Sequence, residues 1–158
     1  MIDLASGSMD QTNKIWNIKD FSLKLTINTK AVYCLCVLKN GDLSSGHNDS
    51  LIIWNNLDWS IKYIYSTNGT LIYSMISLKN GDLATSGCGD SKIKIWNSKS
   101  DYTMIKKLLG HNGVVKLLAL LNNGDLVSSG NDLIIKVWNA NDLSLRLSYS
   151  SLHTNRIT

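Results

Sequence analysis

The sequence predicts an all-β protein built from about four antiparallel sheets of four strands each, and three observations carry that expectation. A stretch ending in Trp-Asn recurs four times, with Trp16, Trp54, Trp96 and Trp138 separated by 38, 42 and 42 residues. Short segments leading to each Trp, such as Lys94-Ile95-Trp96 and Lys136-Val137-Trp138, have the period-2 alternation of a strand whose two faces differ. Three copies also carry Asn-Gly-Asp, at residues 40–42, 80–82 and 123–125. Asn-Gly favours a two-residue type I′ hairpin, because both central positions of that turn need φ > 0. A repeat near 40 residues must be read as one supersecondary unit, and this alternation disfavours helical repeats of similar length.

Taken in order, the first repeat occupies roughly residues 1–28 and is incomplete. Asp3 aligns with the last residue of the Asn-Gly-Asp tripeptide, so the strand that should precede it is missing. A second strand is expected near residues 4–8, a third near 13–17 and an outer fourth near 22–28. The next repeat, 31–66, places strands at 31–38, 43–46, 51–55 and 60–66. Residues 71–109 give strands at 71–78, 83–86, 92–97 and 102–109, and residues 114–150 give 114–121, 126–129, 134–139 and 144–150. Residues 153–158 would start a further strand. The innermost segments AVYCLCVL, LIYSMISL and VVKLLALL are nearly continuously apolar, so both of their faces are expected to be buried. Outer segments such as SLRLSYS alternate, so one face should meet water.

The fullest copy, LVSSGNDLIIKVWN at residues 126–139, and its partners LASGSMDQTNKIWN, LSSGHNDSLIIWN and LATSGCGDSKIKIWN resemble the signature of the WD-40 repeat family of β-propellers. The resemblance covers essentially the whole chain. It implies a β-propeller of four-stranded antiparallel blades, about four of them, the first lacking its inner strand. Trp16, Trp54 and Trp96 with Asp10, Asp49 and Asp90 stand at the signature positions. Two features depart from the family: every copy ends in Trp-Asn where Trp-Asp is usual, and of the opening Gly-His dipeptides only Gly110-His111 and a weaker Leu152-His153 remain.

Composition sets further bounds. The net charge of +4 comes from 14 Lys and 2 Arg against 12 Asp, with no Glu and no Pro. The Lys residues are spread over every repeat, whereas nucleic-acid binders cluster their basic groups on one face, so nucleic acid is not an expected partner. No stretch approaches the ~20 apolar residues of a membrane span, and Met1-Ile2-Asp3 does not open a secretory leader. Cys34, Cys36 and Cys88 supply neither a disulfide framework nor C-x-x-C metal spacing. These cysteines read as small core residues in a reducing compartment, cytoplasmic or nuclear, with no cofactor and no metal.

All 12 acidic residues fall into three turn positions. Asp3, Asp42, Asp82 and Asp125 follow the first hairpin. Asp10, Asp49, Asp90 and Asp132 precede the third strand, and Asp20, Asp58, Asp101 and Asp142 follow each Trp. Aspartate in a turn bonds nearby backbone amides, so no carboxylate is left over for chemistry.

His111, Ser128, Asp132 and Trp138 look like a Ser-His-Asp triad beside an aromatic wall. The family resemblance implies instead a structural tetrad that braces a blade. The pairs Ser6/Asp10, Ser45/Asp49, Ser86/Asp90 and Ser128/Asp132 recur in every copy, whereas a catalytic site is normally made once. Loss of the His near Thr29 and Asn68 should soften those two blades by ~1 to 3 kcal/mol per missing network. His47, without a second His or Cys nearby, reads as a surface turn residue and not a metal ligand. A tetrad of His153 with Ser6, Asp10 and Trp16 would form if the last strand joined the first blade. Trp59 lies outside the repeated set; packing over a neighbouring strand is favoured over a role as an exposed anchor.

The resemblance implies that the turns before the first and third strands present a rim to other proteins or peptides. That rim comprises Gln11, Lys30, His47, Asn68 and Thr70, continuing with Lys92, Asn112, Asn131 and Arg156. Mostly neutral and polar, it suits hydrogen bonding to backbone or polar side chains. The expected function is a non-catalytic protein-interaction scaffold. An enzyme with a central-channel site and a basic-surface RNA-binding module stand as alternatives. The missing inner strand leaves three end states: a fragment of a larger propeller, a closed four-bladed ring, or self-association of two chains through open blade edges.

Overall fold

The computed structural model describes residues 3–87 and 89–150. Its strands form four antiparallel sheets, each a chain-order meander. The first contains β1 (Leu4–Gly7), β2 (Thr12–Trp16) and β3 (Leu23–Asn28). The second contains β4 (Cys34–Val37), β5 (Leu43–Gly46), β6 (Ser50–Trp54) and β7 (Ile61–Ser66). In the third are β8 (Ile72–Ser77), β9 (Leu83–Gly87), β10 (Ile93–Asn97) and β11 (Thr103–Leu108). The fourth contains β12 (Val115–Leu120), β13 (Leu126–Gly130), β14 (Ile134–Trp138) and β15 (Leu145–Ser150). Two compact units result, residues 1–72 and 73–158. The further strand expected from residue 153 lies outside the described residues.

Each unit has its own core. In the first, Ile15, Leu43, Ile52 and Trp54 pack together, with Ala5, Ile27, Leu35 and Trp59 against them. In the second, Leu78, Ile93, Ile95, Val115, Leu126 and Trp138 belong to one buried cluster, with Leu143 packed on it. The inner strands are less buried than their apolar sequences predict. No residue of β4 is buried, and Leu117 of β12 is 43% exposed, whereas every residue of β5, β6 and β9 is buried. The reason is topological: β4 and β12 are sheet edges bonded to one neighbour, whereas β5, β6 and β9 have a strand on both sides. Outer strands show the same edge effect more strongly, and β15 is exposed along its whole length.

Hairpin chemistry also differs from the expected type I′ turn. Gly41 N donates to Leu38 O at 2.9 Å, Leu38 N donates to Asp42 O at 2.8 Å, and the same pair of bonds recurs at Leu78 and Leu121. Only the glycines, Gly41, Gly81 and Gly124, are left-handed, with φ of 90, 94 and 96°. Each connection is therefore a three-residue turn closed by a left-handed Gly. The Asn keeps an ordinary backbone because its side chain is used elsewhere: Asn40 Nδ2 donates to Asp42 Oδ2 at 2.8 Å, and Asp42 N donates back to Asn40 Oδ1 at 3.1 Å.

Two further regularities were not legible in the sequence. Pairing of the third and fourth strands slips immediately before every signature Trp, between Ile15/Trp16, Ile53/Trp54, Ile95/Trp96 and Val137/Trp138. A bulge at this point re-aims the following side chain. Beyond the bulge, Phe21, Trp59, Tyr102 and Leu143 are all left-handed, with φ of 56, 61, 55 and 57°. Their amides donate to the carbonyls of Asn17, Asn55, Asn97 and Asn139 at 2.8 to 2.9 Å. Trp59 thus belongs to the repeated set after all, and it packs on the first core as the sequence favoured.

Candidate functional site

The signature residues converge within each sheet through its register. In the fourth sheet Leu126 faces Trp138 and Ser128 faces Lys136, which sets Ser128 two residues along β13 from the end of the Trp strand. Trp138 Nε1 donates to Ser128 Oγ at 2.9 Å, Ser128 Oγ lies 2.8 Å from His111 Nε2, and His111 Nδ1 lies 2.7 Å from Asp132 Oδ2. An ionised carboxylate only accepts, so Nδ1 carries the proton and Nε2 accepts the Ser128 hydroxyl. Asn112 N and Ile134 N donate to the remaining lone pairs of Asp132 at 3.1 and 3.2 Å.

The electrostatics agree with that arrangement. Burial holds the His111 imidazole below its ordinary 6.5, against the upward pull of the Asp132 hydrogen bond and charge. Burial pushes the Asp132 carboxyl up, but the bonds from His111 and from the Asn112 and Ile134 amides outweigh it and hold the group below 3.8. A neutral ring beside an ionised carboxylate results. Proton order along Ser128, His111 and Asp132 is that of a hydrolytic triad, yet Ser128 is 1% exposed and its oxygen already takes the Trp138 N–H. A nucleophile must present that oxygen to a carbonyl carbon, and here the surrounding core closes the approach.

The second sheet corrects two expectations. His47 is fully buried, neither a surface turn residue nor part of a solvent-facing rim. Its Nε2 lies 2.8 Å from Ser45 Oγ, which accepts Trp54 Nε1 at 2.8 Å, and its Nδ1 donates to Ala31 O at 3.1 Å. Pairing continues past Gly46, with His47 N donating to Ser50 O at 2.9 Å, so His47 shares a face with Ser45 two residues earlier. The blade that lacks a His at Thr29, before β4, therefore obtains its ring from just past the end of the neighbouring β5. The signal was present as Ser45-Gly46-His47, a period-2 pair. Burial holds this imidazole low as well, against the Ala31 and Lys30 backbone contacts. Asp49, relieved of the ring, pairs with Lys30 Nζ at 2.7 Å and accepts Ser50 Oγ at 2.9 Å.

In the third sheet the Trp partner is Thr85 and not Ser86: Trp96 Nε1 donates to Thr85 Oγ1 at 2.9 Å. Pairing of Leu83 with Trp96 fixes the acceptor two residues after the Leu, as for Ser45 and Ser128. The Ser86/Asp90 spacing misled because the turn is one residue longer. Ser86 Oγ is buried without a hydrogen-bond partner among the described residues, while Asp90 accepts Lys92 N at 3.2 Å and pairs with Lys94 at 3.3 Å. The first sheet keeps Trp16 Nε1 donating to Ser6 Oγ at 2.9 Å, and Asp10 accepts Thr12 N and Oγ1 at 3.0 and 2.7 Å. His153, which would extend that set, lies outside the described residues.

A second network stands at the opposite end of the strands. Asp42 accepts Asn56 N at 3.1 Å, Asn40 Nδ2 at 2.8 Å and Lys62 Nζ at 3.0 Å. Asp125 repeats this with Ala140 N, Asn123 Nδ2 and Arg146 Nη1 at 2.9, 2.9 and 2.6 Å, and Asp3 pairs with Lys24 at 2.7 Å. The Ala140 amide, with Asn123 and Arg146, holds the Asp125 carboxyl below its usual range. Asp82 receives Ser98 N and Oγ at 2.9 and 3.3 Å. Trp-Asn replaces Trp-Asp without loss of the turn: Oδ1 of Asn17, Asn55, Asn97 and Asn139 each accepts the amide two residues on, at 2.8 to 3.0 Å.

The rest of the predicted rim occupies the connections at one end of each sheet. In the first unit Gln11, Lys30 and Asn68 are exposed and Thr70 is half-buried; in the second, Asn112 and Asn131 are exposed and Lys92 is half-buried. Arg156 and Cys88 lie outside the described residues. No group of three potential metal ligands occurs among the described residues.

Residues 59–97 and 102–139 each match the family model for the WD domain, G-beta repeat. The chain is 30% identical over 135 residues to cell division control protein 4 of Saccharomyces cerevisiae, covering 73% of this chain and 17% of that protein. It is 30% identical over 126 residues to nuclear distribution protein nudF 1 of Talaromyces marneffei, covering 75% and 26%. To the ribosome biogenesis protein WDR12 homolog of Drosophila mojavensis it is 27% identical over 150 residues, covering 85% and 34%. The chain thus spans about a third or less of these relatives. Among solved structures, U3-55K superposes with a TM-score of 0.85 at 20% identity, over 99% of this chain and 50% of that one. The RRP9 WD40 repeats superpose with a TM-score of 0.82 at 19% identity, over 94% and 47%.

Proposed function

The chain belongs to the WD-40 repeat family, whose members bind other proteins and are generally not enzymes, and we propose that it is a non-catalytic scaffold presenting its loop rim to proteins or peptides. The observation that carries this reading is the commitment of its reactive groups. His47 and His111, with Ser45 and Ser128, are sealed into buried Trp-Ser-His chains. The repeated Asp residues turn their oxygens to turn amides and neighbouring side chains. Outward on the rim stand the neutral polar side chains of Gln11, Asn68, Asn112 and Asn131, with Lys30 paired to Asp49.

Charge points the same way. Residues 73–158 carry ten basic and six acidic side chains, which accounts for the whole +4, since residues 1–72 carry six of each. Within the second unit, Lys94 and Arg146 pair with Asp90 and Asp125. Lys106 donates to Asp142 O, Lys136 to Ser148 Oγ, and Lys116 stands 3.3 Å over the Tyr73 ring. Cations so engaged favour a polar, weakly charged ligand over a phosphate backbone. Our proposed setting is a reducing compartment, cytoplasm or nucleus, where Cys34 and Cys36 stay thiols; burial pushes Cys34 up to about 12.

Panning the immobilised chain against a displayed random peptide library tests the reading. Selected peptides should lose binding to an Asn112→Ala/Asn131→Ala variant of unchanged thermal stability and should tolerate added salt. Peptides that are uniformly acidic and released by salt, or that ignore both substitutions, would overturn it.

A further inference from the structure

We propose that Asn68 is a site of spontaneous deamidation, singled out by the fold from five Asn-Gly dipeptides. These stand at residues 40–41, 68–69, 80–81, 112–113 and 123–124. In the reaction the main-chain nitrogen of the glycine attacks the Asn Cγ. A C–N bond forms, the carboxamide C–N bond breaks, and ammonia leaves with the proton that the glycine nitrogen gives up. Water then opens the resulting cyclic imide at either carbonyl, leaving aspartate or isoaspartate. No oxidant or reductant takes part. The glycine must be able to bring its nitrogen over the side chain, and the carboxamide must be at liberty to turn.

The fold restrains the carboxamide, the glycine or both at four sites and leaves the glycine open at the fifth. Asn40, Asn80 and Asn123 are clamped at each end of the carboxamide: Nδ2 donates to the following Asp at 2.8, 2.8 and 2.9 Å, and Oδ1 accepts that Asp's amide at 3.1, 3.0 and 3.0 Å. Backbone at Gly41, Gly113 and Gly124 is hemmed in, since an added Cβ would stand 2.5 Å from Asn56 Nδ2, 3.0 Å from Asp132 N and 2.7 Å from Lys79 Cδ. Asn112 is held in addition by its amide, which donates to Asp132 Oδ2. Gly69, with φ of 72°, has no atom within 4 Å of that point beyond its own chain neighbours among the described residues, and glycine so placed crosses φ/ψ space at little cost. Asn68 is exposed and left-handed at φ 53°; its amide donates to Ser66 Oγ and its Oδ1 accepts the Ser66 hydroxyl, both at 3.2 Å, so the ties are to one exposed side chain and not to a buried network as at Asn112. The bond from the hydroxyl draws electrons from Cγ and leaves Nδ2 to depart.

The product places a carboxylate in a neutral stretch of the loop between β7 and β8, and isoaspartate also lengthens the backbone there by one atom. It does so beside Thr70, on the rim proposed to bind partners, but the reaction does not depend on that role. Peptide mapping by mass spectrometry, resolving aspartate from isoaspartate, is the test: the 158-residue chain is held at mildly alkaline pH, folded in buffer or unfolded in guanidinium. Position 68 should convert several-fold faster than the other four in the folded chain, with the five rates converging in denaturant. If position 40, 80, 112 or 123 converts as fast as 68 in the folded chain, or if the 68 preference persists in denaturant, the proposal falls.

Discussion

Thr85 and Ser86 are adjacent on β9, and only Thr85 reaches Trp96. Thr85→Ala should therefore cost about 1 to 3 kcal/mol by leaving a buried indole N–H unpaired, while Ser86→Ala should be neutral or slightly stabilising; urea unfolding of the two variants checks the order. Asn13 is a sharper case. It is fully buried with both amide atoms unpaired among the described residues, at the register position that Leu51, Ile93 and Ile135 fill in the other sheets. Asn13→Leu should raise stability by about 1 to 3 kcal/mol in the same assay. The two buried histidines set a pH dependence. Both rings are neutral in the fold with pKa held below 6.5, so the unfolded chain binds more protons as the pH falls. Their contribution is whole above pH 6.5 and is lost as pH falls through the folded values; the depressed Asp132 adds its own loss below 3.8. Denaturant midpoints between pH 6.5 and 3.8 should slope in the native chain and flatten in a His47→Gln/His111→Gln variant.

Within an element, the acid clamp makes a comparison that the molecule has left incomplete. Lys24, Lys62 and Arg146 follow the residue paired with each Trp and reach the hairpin Asp, whereas the third sheet has Ile105 there, 55% exposed. Ile105→Arg should bring a guanidinium to Asp82 and add about 0.5 kcal/mol, modest because the pair is half in water. The gain should vanish in an Asp82→Asn background, and a gain that survives there would assign the effect elsewhere. Strand number, order and most strand positions were legible in the sequence, because Trp spacing and Asn-Gly-Asp both report the period of the hairpins. The His111 set was legible for the same reason, its four members keeping the family spacing. Register is harder to read: the Ser/Asp offset of the other copies points to Ser86, but the turn before Asp90 is one residue longer and shifts the acceptor to Thr85. His47 was missed because the turn residues around it hid the continued alternation of its strand, and the bulges before each Trp leave no compositional mark.

At the scale of the whole molecule, the two units differ in how completely their sheets are made. The second has two four-stranded sheets, and β9, β10, β13 and β14 are bonded on both edges. The first pairs one such sheet with the three-stranded β1-β2-β3, in which β1 has a partner on one edge among the described residues. Leu4, Phe21 and Leu23 of that sheet are 50, 69 and 50% exposed, and Ser6 is exposed where Ser45 and Ser128 are buried. Local opening follows few buried contacts and solvent-facing hydrogen bonds. In native hydrogen exchange the amides of β1 and β3 should therefore exchange first and those of β9, β10, β13 and β14 last. Protection of β1 equal to that of β5 would contradict this ordering. It would mean that an additional strand covers the open edge, and a His153→Ala chain would then tell whether residues 153–158 provide it.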